Sequence, residues 1–422
     1  MPIQKHDRRY DVLVLGATGY TGRLTVQQIC ERLPTTLKWA VAGRSESKLR
    51  GVVDDCRQVH PDRLLPAVET ANLNDELQLR SLVKKTKVLI TTVGPYSLYG
   101  EPVFKACAET GTHYLDVTGE FPWVLRMIEK YETAAKTSGA IMLPQIGIES
   151  APADLCTWLM AKSIREELGC GTGEVSMCIQ NLKSSPSGGT LATALSIFDV
   201  FSLKELAAAA KPYASSPIPH PEPARPRSSL ASFLFGVRHV PHLGLVTTSV
   251  AGSTDASTVE RTWGLLSETE SRRGEFYGPR FVWAEYFRTR NLLSGVAVHW
   301  ALAVGATLLA LTPPFRWLIE KFVFRPGEGP ELEDAKNELI EYRGVATPDT
   351  QPASQKRVIC RAHYEGSMYY MTGMFLAQAA LTLLEDDVAL GGGIYTPACL
   401  GQGFVDRCNA AGFKTDVRLV DH

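Results

Sequence analysis

The sequence lacks an excess of charge of either sign. Lysine and arginine together number 44 and aspartate and glutamate 45, which gives a formal net charge of −1 over 422 residues. Domains that bind nucleic acid concentrate basic residues on one face. We therefore expect no nucleic acid partner.

Cysteine pairs at a metal-binding or redox spacing are also absent. The nine cysteines are scattered, their number is odd, and none forms a CxxC motif. We therefore expect no metal site and a reducing compartment. Residues 1–10 are polar and lead directly into an apolar run, which leaves no room for the apolar region of a signal peptide. Together these absences predict a cytoplasmic location.

A glycine-rich turn stands between a predicted strand and a predicted helix. Val12–Leu15 is a run of branched apolar residues typical of a buried parallel strand, and apolar residues then recur at helical spacing. The turn itself consists of Gly16, Ala17, Thr18, Gly19, Tyr20, Thr21 and Gly22. Such a turn presents backbone N–H groups and the positive end of a helix dipole to a phosphate. It therefore predicts a dinucleotide-binding site, although its spacing is GxxGxxG rather than GxGxxG.

Predicted strands and helices alternate after this turn. The strands are predicted at residues 38–42, 64–68, 88–93, 113–116 and 140–143, and the helices at 46–57, 75–85, 102–109 and 121–137. This alternation predicts an α/β fold with a Rossmann-like, doubly wound parallel sheet.

The length of the chain predicts more than one domain. We expect a dinucleotide-binding domain over residues 1–150 and an inserted mixed α/β domain, largely antiparallel, over residues 151–354. We expect residues 355–422 to pack back on the nucleotide domain.

The end of the second predicted strand bears on the choice of cofactor. In NAD-binding folds a carboxylate usually meets the adenosine ribose here, whereas this strand is followed by Arg44 and Ser45. A guanidinium can hold a 2′-phosphate with two hydrogen bonds, and a serine hydroxyl can donate a third. We therefore predict NADP(H) as the cofactor. The alternative is an ordinary solvated loop, which the nearby Glu46 keeps open.

Two sets of polar residues are candidates for chemistry. Gly94, Pro95 and Tyr96 follow the fourth predicted strand, at the edge where ligands of such sheets bind. We predict that Gly94 and Pro95 contact the cofactor and that Tyr96 donates a proton; the alternative is that Tyr96 only closes a turn. His113 is the second catalytic candidate, and its alternative is a side chain that points into the sheet.

The neighbours of these candidates have alternative roles too. Asp116 and Glu120 follow His113 and are candidates to orient a substrate or relay a proton. The alternative is that Asp116 and Thr118 cap the next helix. The segment 187–190, Ser-Gly-Gly-Thr, opens an apolar helix. It is either an anion or carbonyl site or an ordinary helix start.

Residues 292–311 contain no acidic or basic residue other than His299. Twenty helical residues reach about 30 Å, the thickness of the hydrocarbon core of a bilayer. Arg288 and Arg290 precede the segment, and an aromatic and basic stretch follows it. Two interpretations remain open: the helix meets a membrane surface, or it is buried in the protein or in a homodimer. A full transmembrane span is the least favoured.

Taken together, these motifs resemble the saccharopine dehydrogenase-like oxidoreductase family, which includes trans-acting enoyl reductases that serve polyketide synthases. The similar stretches are residues 16–22, 42–44, 94–96, 111–120, 147–154, 186–190 and 391–397. Residues 200–350 are similar only loosely. The resemblance implies a Rossmann-like domain, an inserted domain, pyridine nucleotide binding and, in some relatives, association with membranes or lipid droplets.

The resemblance leaves the reaction open. The basic groups with which saccharopine-forming enzymes bind their substrates have no counterpart that we can place, so lysine metabolism is disfavoured. We expect reduction of a C=C bond in a lipophilic or carrier-tethered acyl intermediate, with a polyketide synthase as partner. NADPH would deliver hydride to the β-carbon, and Tyr96 or a water would protonate the enolate carbon. The alternatives are C=O or C=N reduction, and a non-catalytic nucleotide-binding protein on a lipid surface.

Overall fold

The computed structural model describes residues 2–182, 188–221, 230–320 and 338–421. In these ranges the strands form two seven-stranded sheets. The first sheet has the order β13-β6-β5-β4-β1-β2-β3, and its paired strands are all parallel. This is the Rossmann-like parallel sheet that the sequence predicts, and the prediction is confirmed.

The strands of the first sheet follow the predicted alternation closely. They are β1 Tyr10–Leu15, β2 Trp39–Gly43, β3 Ala67–Thr70, β4 Thr86–Thr91, β5 His113–Leu115, β6 Ile141–Leu143 and β13 Gly393–Ile394. The helices between them are α1 Tyr20–Arg32, α2 Glu46–Val59, α3 Glu76–Val83, α4 Tyr96–Tyr99, α5 Glu101–Thr110 and α6 Phe121–Ser138. Local signals set several ends: Ser45 and Asp75 cap α2 and α3, and left-handed Gly111 and Gly139 end α5 and α6.

The second sheet has the order β14-β12-β11-β7-β10-β9-β8. Its strands are β7 Gly171–Leu182, β8 Arg238–Val240, β9 Gly244–Thr248, β10 Val282–Arg288, β11 Leu339–Asp349, β12 Lys356–Glu365 and β14 Lys414–Asp421. All neighbours are antiparallel except β7 and β10, which run parallel. The predicted second α/β unit with a largely antiparallel sheet is therefore confirmed.

The remaining helices surround the second sheet or join it to the first. They are α7 Ala151–Leu168, α8 Gly188–Val200, α9 Leu203–Ala209, α10 Leu230–Phe235, α11 Gly252–Glu268, α12 Leu292–Leu311, α13 Pro313–Glu320, α14 Met368–Glu385 and α15 Gln402–Ala410, with short 3₁₀ turns at Glu270–Glu275 and Pro397–Leu400. Residues 355–422 are divided between the sheets: α14 packs on α1 and β13 joins the first sheet, whereas β12 and β14 belong to the second.

Helices α7 and α11 cover one face of the second sheet. The indole N–H of Trp283 on β10 donates to the Thr157 hydroxyl of α7 at 3.0 Å. One large cluster of buried apolar residues runs from β1 and α1 through α14 to these two helices. Because the core is continuous, the carboxyl edge of the first sheet and the covered face of the second sheet meet in one fixed arrangement.

Candidate active site

The glycine turn after β1 is held tightly between β2 and β4. Gly16 has φ +88°, a conformation that only glycine adopts without strain, and its N–H donates to Ala42 O at 2.9 Å. A side chain on Gly16 would approach the Thr92 hydroxyl to 2.9 Å. A Cβ on Gly22 would overlap the carbonyl oxygen of Gly16. The glycine loop therefore packs directly against the first turn of α1, as the predicted phosphate-binding loop requires.

The first turn of α1 is open to an anion. Gly19 is its N-cap, and among the described residues no side chain caps these N–H groups. The first turn also contains no acidic residue. Among the described residues, a Cβ on Gly19 would have only Gly16 O within 4 Å, at 3.4 Å, so no described side chain crowds this position. Uncapped N–H groups at a helix N-terminus bind phosphate readily, and the residues present fit the diphosphate of a dinucleotide.

The other turn residues support this loop from behind. Ala17 is buried in the core. The Tyr20 ring lies edge-on against Tyr369 of α14 with centroids 5.1 Å apart, and the carbonyl of Thr21 accepts from the Thr25 hydroxyl. Thr18 is half-buried at the turn. The loop is thus anchored to α14 as well as to the sheet.

Arg44 lies exposed at the carboxyl end of β2. It makes no ion pair within the described parts of the chain, and Glu46, the nearby carboxylate, is engaged by Arg50 at 2.6 Å. The Ser45 hydroxyl accepts from the N–H of Lys48 as the N-cap of α2. An unpaired guanidinium beside a serine hydroxyl at this position fits a 2′-phosphate.

Tyr96 does not face the rim of the first sheet, which is formed by the carboxyl ends of its strands. This position corrects the prediction that Tyr96 donates a proton to the substrate. Its side chain is only 4% exposed, its hydroxyl donates to Thr91 O at 3.0 Å, and it accepts from the N–H of Val117 at 3.4 Å. Burial, aided by the charge of Asp116, raises the pKa of the Tyr96 hydroxyl well above its usual value. A hydroxyl with both functions satisfied inside the protein has no path to a substrate. Tyr96 is a packing residue, as the alternative interpretation held.

The backbone beside Tyr96 does reach the rim. Gly94 is exposed and Pro95 is buried. A Cβ on Gly94 would lie 3.7 Å from the Thr193 hydroxyl, which shows that α8 stands over this loop. Of the segment 187–190, Ser187 lies outside the described residues, and only the helical backbone of its other residues is described.

His113 lies at the amino ends of the strands, whereas Gly94 lies at their carboxyl ends. This position corrects the prediction that His113 is a catalytic residue. It is the first residue of β5, whereas the rim is formed by the carboxyl ends of the strands. Its Nδ1 accepts from the N–H of Ile141 at 3.0 Å, and burial lowers the pKa of the imidazole to about 3. His113 is therefore a neutral, buried residue of the sheet and no part of the site.

Asp116 and Glu120 hold the rim in shape. Glu120 accepts from the N–H groups of Tyr96 at 2.5 Å and Ser97 at 2.8 Å, so it caps α4. Asp116 accepts from two backbone N–H groups of the neighbouring loops, each at 2.9 Å. With their oxygens engaged in this way, both carboxylates act as structural caps.

Sequence reasoning missed Glu149, which follows β6 at the rim. Its side chain is reached by solvent and lies against Gly119, where a Cβ would overlap its carboxylate. The surrounding walls desolvate the group and raise its pKa. Tyr342 of β11 donates its hydroxyl to the carbonyl of Ile148 at 3.4 Å, so the second sheet meets the first at this loop. Glu149 therefore lies on the rim of the first sheet, where the second sheet meets it.

Two buried carboxyls stand behind Glu149. Asp255 of α11 is 1% exposed and lies beside Glu285 of β10, which is 7% exposed and accepts from the Ser249 hydroxyl at 2.6 Å. Burial, with the charge of Glu285, raises the pKa of Asp255 well above its usual value. The described residues contain no group of three or more His, Cys, Asp and Glu side chains arranged for a metal ion.

The sequence carried a signal for this pair. Glu285 alternates with Trp283 and Phe287 on β10, so it is a carboxylate on the apolar, helix-facing side of a strand. Buried carboxylates of this kind are almost always paired. Its partner is thirty positions earlier on another element, and only the fold shows that the two meet.

Comparisons with known proteins identify the class of enzyme to which this fold and glycine turn belong. Residues 12–143 match the saccharopine dehydrogenase NADP-binding domain. The chain also matches the saccharopine dehydrogenase (L-glutamate forming) of Saccharomyces cerevisiae, with a TM-score of 0.55 at 10% identity over 97% of this chain and all of that one. That structural likeness shows the fold alone.

Relatives of similar length define the class further. A Mycobacterium tuberculosis protein, named provisionally as a trans-acting enoyl reductase, is 30% identical over 96% of this chain and 96% of its own. An Arabidopsis thaliana protein named as a mitochondrial saccharopine dehydrogenase-like oxidoreductase is 28% identical over 94% and 93%. A lipid droplet localized protein of Caenorhabditis elegans is 38% identical over 43% and 42%.

The fold, the glycine turn and these matches define an NADP-binding oxidoreductase class. The chain belongs to the saccharopine dehydrogenase-like oxidoreductase family. The resemblance stated from the sequence is confirmed, and so is a nicotinamide dinucleotide as the cofactor.

Proposed function

We propose that the protein is an NADPH-dependent reductase of the C=C bond of an α,β-unsaturated acyl compound. The observation that carries this proposal is the uncapped helix N-terminus at Gly19. We place the substrate cleft on the same rim, beside the exposed Glu149. The similarity over nearly the whole chain to a protein named as a trans-acting enoyl reductase supports the choice of bond. By the same similarity, a carrier-tethered intermediate of a polyketide synthase is the favoured substrate.

Each part of the chain has a separate task in this reaction. When bound, NADPH supplies the hydride that the β-carbon receives. The glycine turn holds the diphosphate, and Arg44 holds the 2′-phosphate. Glu149, with its raised pKa, delivers a proton to the α-carbon and regains it from the solvent that reaches it.

A substrate panel tests the reaction. The purified protein is mixed with NADPH and, in separate assays, with enoyl, keto and imine compounds of medium chain length, and nucleotide oxidation is followed by absorbance. We expect turnover with the enoyl thioester, and deuterium from labelled NADPH at the β-carbon of the product. Turnover with only the keto or imine compounds would identify the alternative reductase. Absence of oxidation with every compound would favour the non-catalytic alternative.

Glu149→Gln tests the proton donor. The amide has no carboxyl proton to donate, so we expect kcat to fall by roughly 10² to 10⁴ while NADPH affinity is unchanged. Glu129→Gln, an exposed position on α6, is the matched control and keeps wild-type kcat. A Glu149→Gln protein with full turnover would contradict this role.

Arg44→Ala tests the choice of NADP(H). Loss of a charge-assisted, bidentate contact costs about 1.5 to 3 kcal/mol, so we expect NADPH to bind roughly 10- to 100-fold more weakly and NADH to bind as before. Arg50→Ala, which removes only the partner of Glu46, is the control. Fluorescence titration gives both affinities. A variant that still prefers NADPH would exclude Arg44 as the phosphate ligand.

We further propose that the protein docks on a lipid surface. Helix α12 is long and apolar enough to cross a membrane, with a mean hydropathy of 1.8, yet only 6% of that window is buried. Most of the helix therefore presents apolar side chains to the outside. The apolar surface consists of the exposed side chains of α10, α12 and α13, namely Leu230, Phe233, Leu234, Phe235, Leu292, Leu293, Val298, Trp300, Val304, Leu308, Leu311, Trp317 and Leu318.

The geometry of α12 favours lying on a surface over crossing it. Asn291 caps the helix, and near its start the Thr247 hydroxyl donates to Gly295 O at 2.8 Å. One turn later, His299 Nδ1 lies 2.7 Å from the Thr248 hydroxyl. The first half of the helix is thus fixed to β9 while its other side stays exposed. The similarity to a lipid droplet localized protein supports this proposal.

Vesicle flotation tests the apolar surface. Leu293 is 84% exposed on α12, and Leu77 is 83% exposed on α3 of the nucleotide-binding sheet. We expect Leu293→Ser to bind neutral phosphatidylcholine vesicles about tenfold more weakly and Leu77→Ser to bind like the wild type. If the wild-type protein does not bind vesicles but forms a dimer that Leu293→Ser disrupts, a second copy of the chain covers this surface.

A further inference from the structure

A cavity rich in arginine opens on the face of the second sheet opposite α7 and α11. Its volume is about 520 Å³, and its walls include Gln180, His242, Arg288, Arg290 and Arg343. The lining residues that the structure describes include no aspartate or glutamate. We call this cavity the arginine pocket.

The positive charge of the pocket is poorly compensated. Arg288 and Arg290 are exposed and pair with no carboxylate in the described ranges. Arg343 shares the carboxylate of Glu341 with Arg361, at 2.8 and 3.0 Å. Three guanidinium groups around one hollow, two of them unpaired, form a site for an anion with several oxygens, because each guanidinium presents a planar fork of donors.

The pocket is separate from the candidate active site. Side chains alternate between the faces of a strand, and Glu285 of β10 faces α11 and the cleft. Arg288 is an odd number of positions from Glu285, so it lies on the other face, with Tyr286. A phosphate in the pocket and a substrate in the cleft would have the second sheet between them. The pocket is therefore no subsite for the acyl substrate.

The position of the pocket indicates its ligand. Arg288 and Arg290 directly precede Asn291, the N-cap of α12, and the next two residues, Leu292 and Leu293, are 64% and 84% exposed. The positive charge of the pocket thus borders the apolar surface. At a lipid surface, apolar side chains enter the acyl region while arginines stay at the level of the headgroups.

We propose that the arginine pocket binds the phosphate-bearing headgroup of an anionic lipid while the apolar surface enters the acyl region. That the phosphate belongs to a lipid rests on the proposed lipid docking. That it binds in this pocket rests on the charge and position of the pocket. It assigns two tasks: α10, α12 and α13 provide contact with any lipid surface, and the pocket selects a negatively charged one.

Flotation with two kinds of vesicle tests this division. The full chain is mixed with phosphatidylcholine vesicles and with vesicles that also contain phosphatidylserine, at low and at physiological salt. One basic residue near an anionic surface contributes about 1 kcal/mol, or about fivefold in affinity. We therefore expect phosphatidylserine to strengthen wild-type binding roughly 20-fold, less at higher salt, and Arg288→Gln/Arg290→Gln to lose this gain while it binds neutral vesicles and NADPH normally.

The matched control separates a pocket from general charge. Arg50→Gln/Arg57→Gln removes two exposed arginines, 69% and 58% exposed, from α2 of the nucleotide-binding sheet, and it should keep the whole gain. The proposal is overturned if this control loses as much as the pocket variant, or if the pocket variant keeps the gain.

Two further outcomes separate this inference from the proposed docking. Wild-type protein that binds neutral vesicles without any gain from phosphatidylserine overturns the pocket and leaves the apolar surface standing. Protein that binds only the anionic vesicles, through Arg288 and Arg290, supports the pocket and overturns the apolar docking. Calorimetry with inorganic phosphate adds a third arm: tight binding there, with no vesicle preference, would make the pocket a site for a soluble anion and overturn the lipid ligand.

Discussion

Gly19 and Gly22 lie one helical turn apart, and they are required for different reasons. A Cβ on Gly22 would overlap the backbone of Gly16 whether or not a nucleotide is bound. A Cβ on Gly19 would meet only Gly16 O, at 3.4 Å, and would otherwise project into the space in front of the helix. Gly22 is thus a folding requirement, and Gly19 is a binding requirement.

Alanine at each position should separate the two requirements. We expect Gly22→Ala to unfold more easily by about 1 to 3 kcal/mol, because the helix must shift away from the turn. Gly19→Ala should keep its thermal stability within about 1 kcal/mol and lose NADPH affinity in a fluorescence titration. Gly51→Ala has no atom within 4 Å of the new Cβ and serves as control. Equal losses of stability at Gly19 and Gly22 would contradict this assignment.

The hydroxyl of Tyr96 should matter for stability and not for turnover. Tyr96→Phe leaves the carbonyl of Thr91 and the N–H of Val117 without that partner, so we expect a loss of about 1 to 3 kcal/mol in the free energy of unfolding. Turnover and NADPH affinity should stay at wild-type values at a temperature where both proteins are folded. A large fall in kcat alone would restore Tyr96 as the proton donor.

At the scale of elements, Asp154 connects the start of α7 to two distant segments. It accepts from the Thr262 hydroxyl of α11 at 2.6 Å and from the N–H of Ala398 at 2.8 Å. Burial raises the pKa of this carboxyl from 3.8 to about 7, in spite of the hydrogen bonds that favour its charge. Charging Asp154 therefore costs more in the folded protein than in the unfolded chain.

This shift fixes the sign of a pH effect. Because the folded-state pKa is the higher one, the contribution of Asp154 to stability is present below about pH 4 and is lost as the pH rises to about 7. Between pH 5 and pH 8 the loss is on the order of 2 kcal/mol. We expect Asp154→Asn to remove this part of the pH dependence of denaturant unfolding. An unchanged difference between wild type and variant at the two pH values would contradict it.

At the scale of the whole molecule, Arg261 connects the two halves. It lies on α11, and its guanidinium donates to Glu132 of α6 at 2.9 Å and to the carbonyls of Ser215 and Ile394, both at 2.6 Å. Ile394 belongs to β13 of the first sheet. One buried side chain thus joins the second unit to a helix and a strand of the first.

Arg261→Met should weaken the molecule as a whole. Removal of one partner from a buried ion pair costs about 3 kcal/mol or more, and two carbonyls also lose a donor. We expect a lower unfolding temperature with a single transition for both halves. Arg273→Met, an exposed arginine, is the control and should have little effect. If only the second sheet of the variant unfolded early, while the first kept its stability and its NADPH binding, Arg261 would be no link between the halves.

Local pattern was sufficient for much of the fold. The predicted strand at residues 113–116 appears as His113–Leu115 and the predicted helix at 121–137 as Phe121–Ser138. The third strand shows the limit: it was predicted at residues 64–68 and begins at Ala67, because Pro66 precedes it and Leu64 is 50% exposed. Apolar composition alone does not tell a strand from the loop that enters it.

The sequence by itself determined the glycine turn, the alternation of strands and helices over residues 1–150, and the arginine after β2. These depend on the φ of a glycine, on side-chain periodicity and on the residue that follows a strand, all of which are local. Only the tertiary structure decided that Tyr96 and His113 point away from the rim, that Asp255 meets Glu285, and that three arginines surround one hollow. Each of these depends on which face of an element is covered and on contacts between distant segments, and packing across the two sheets fixes both.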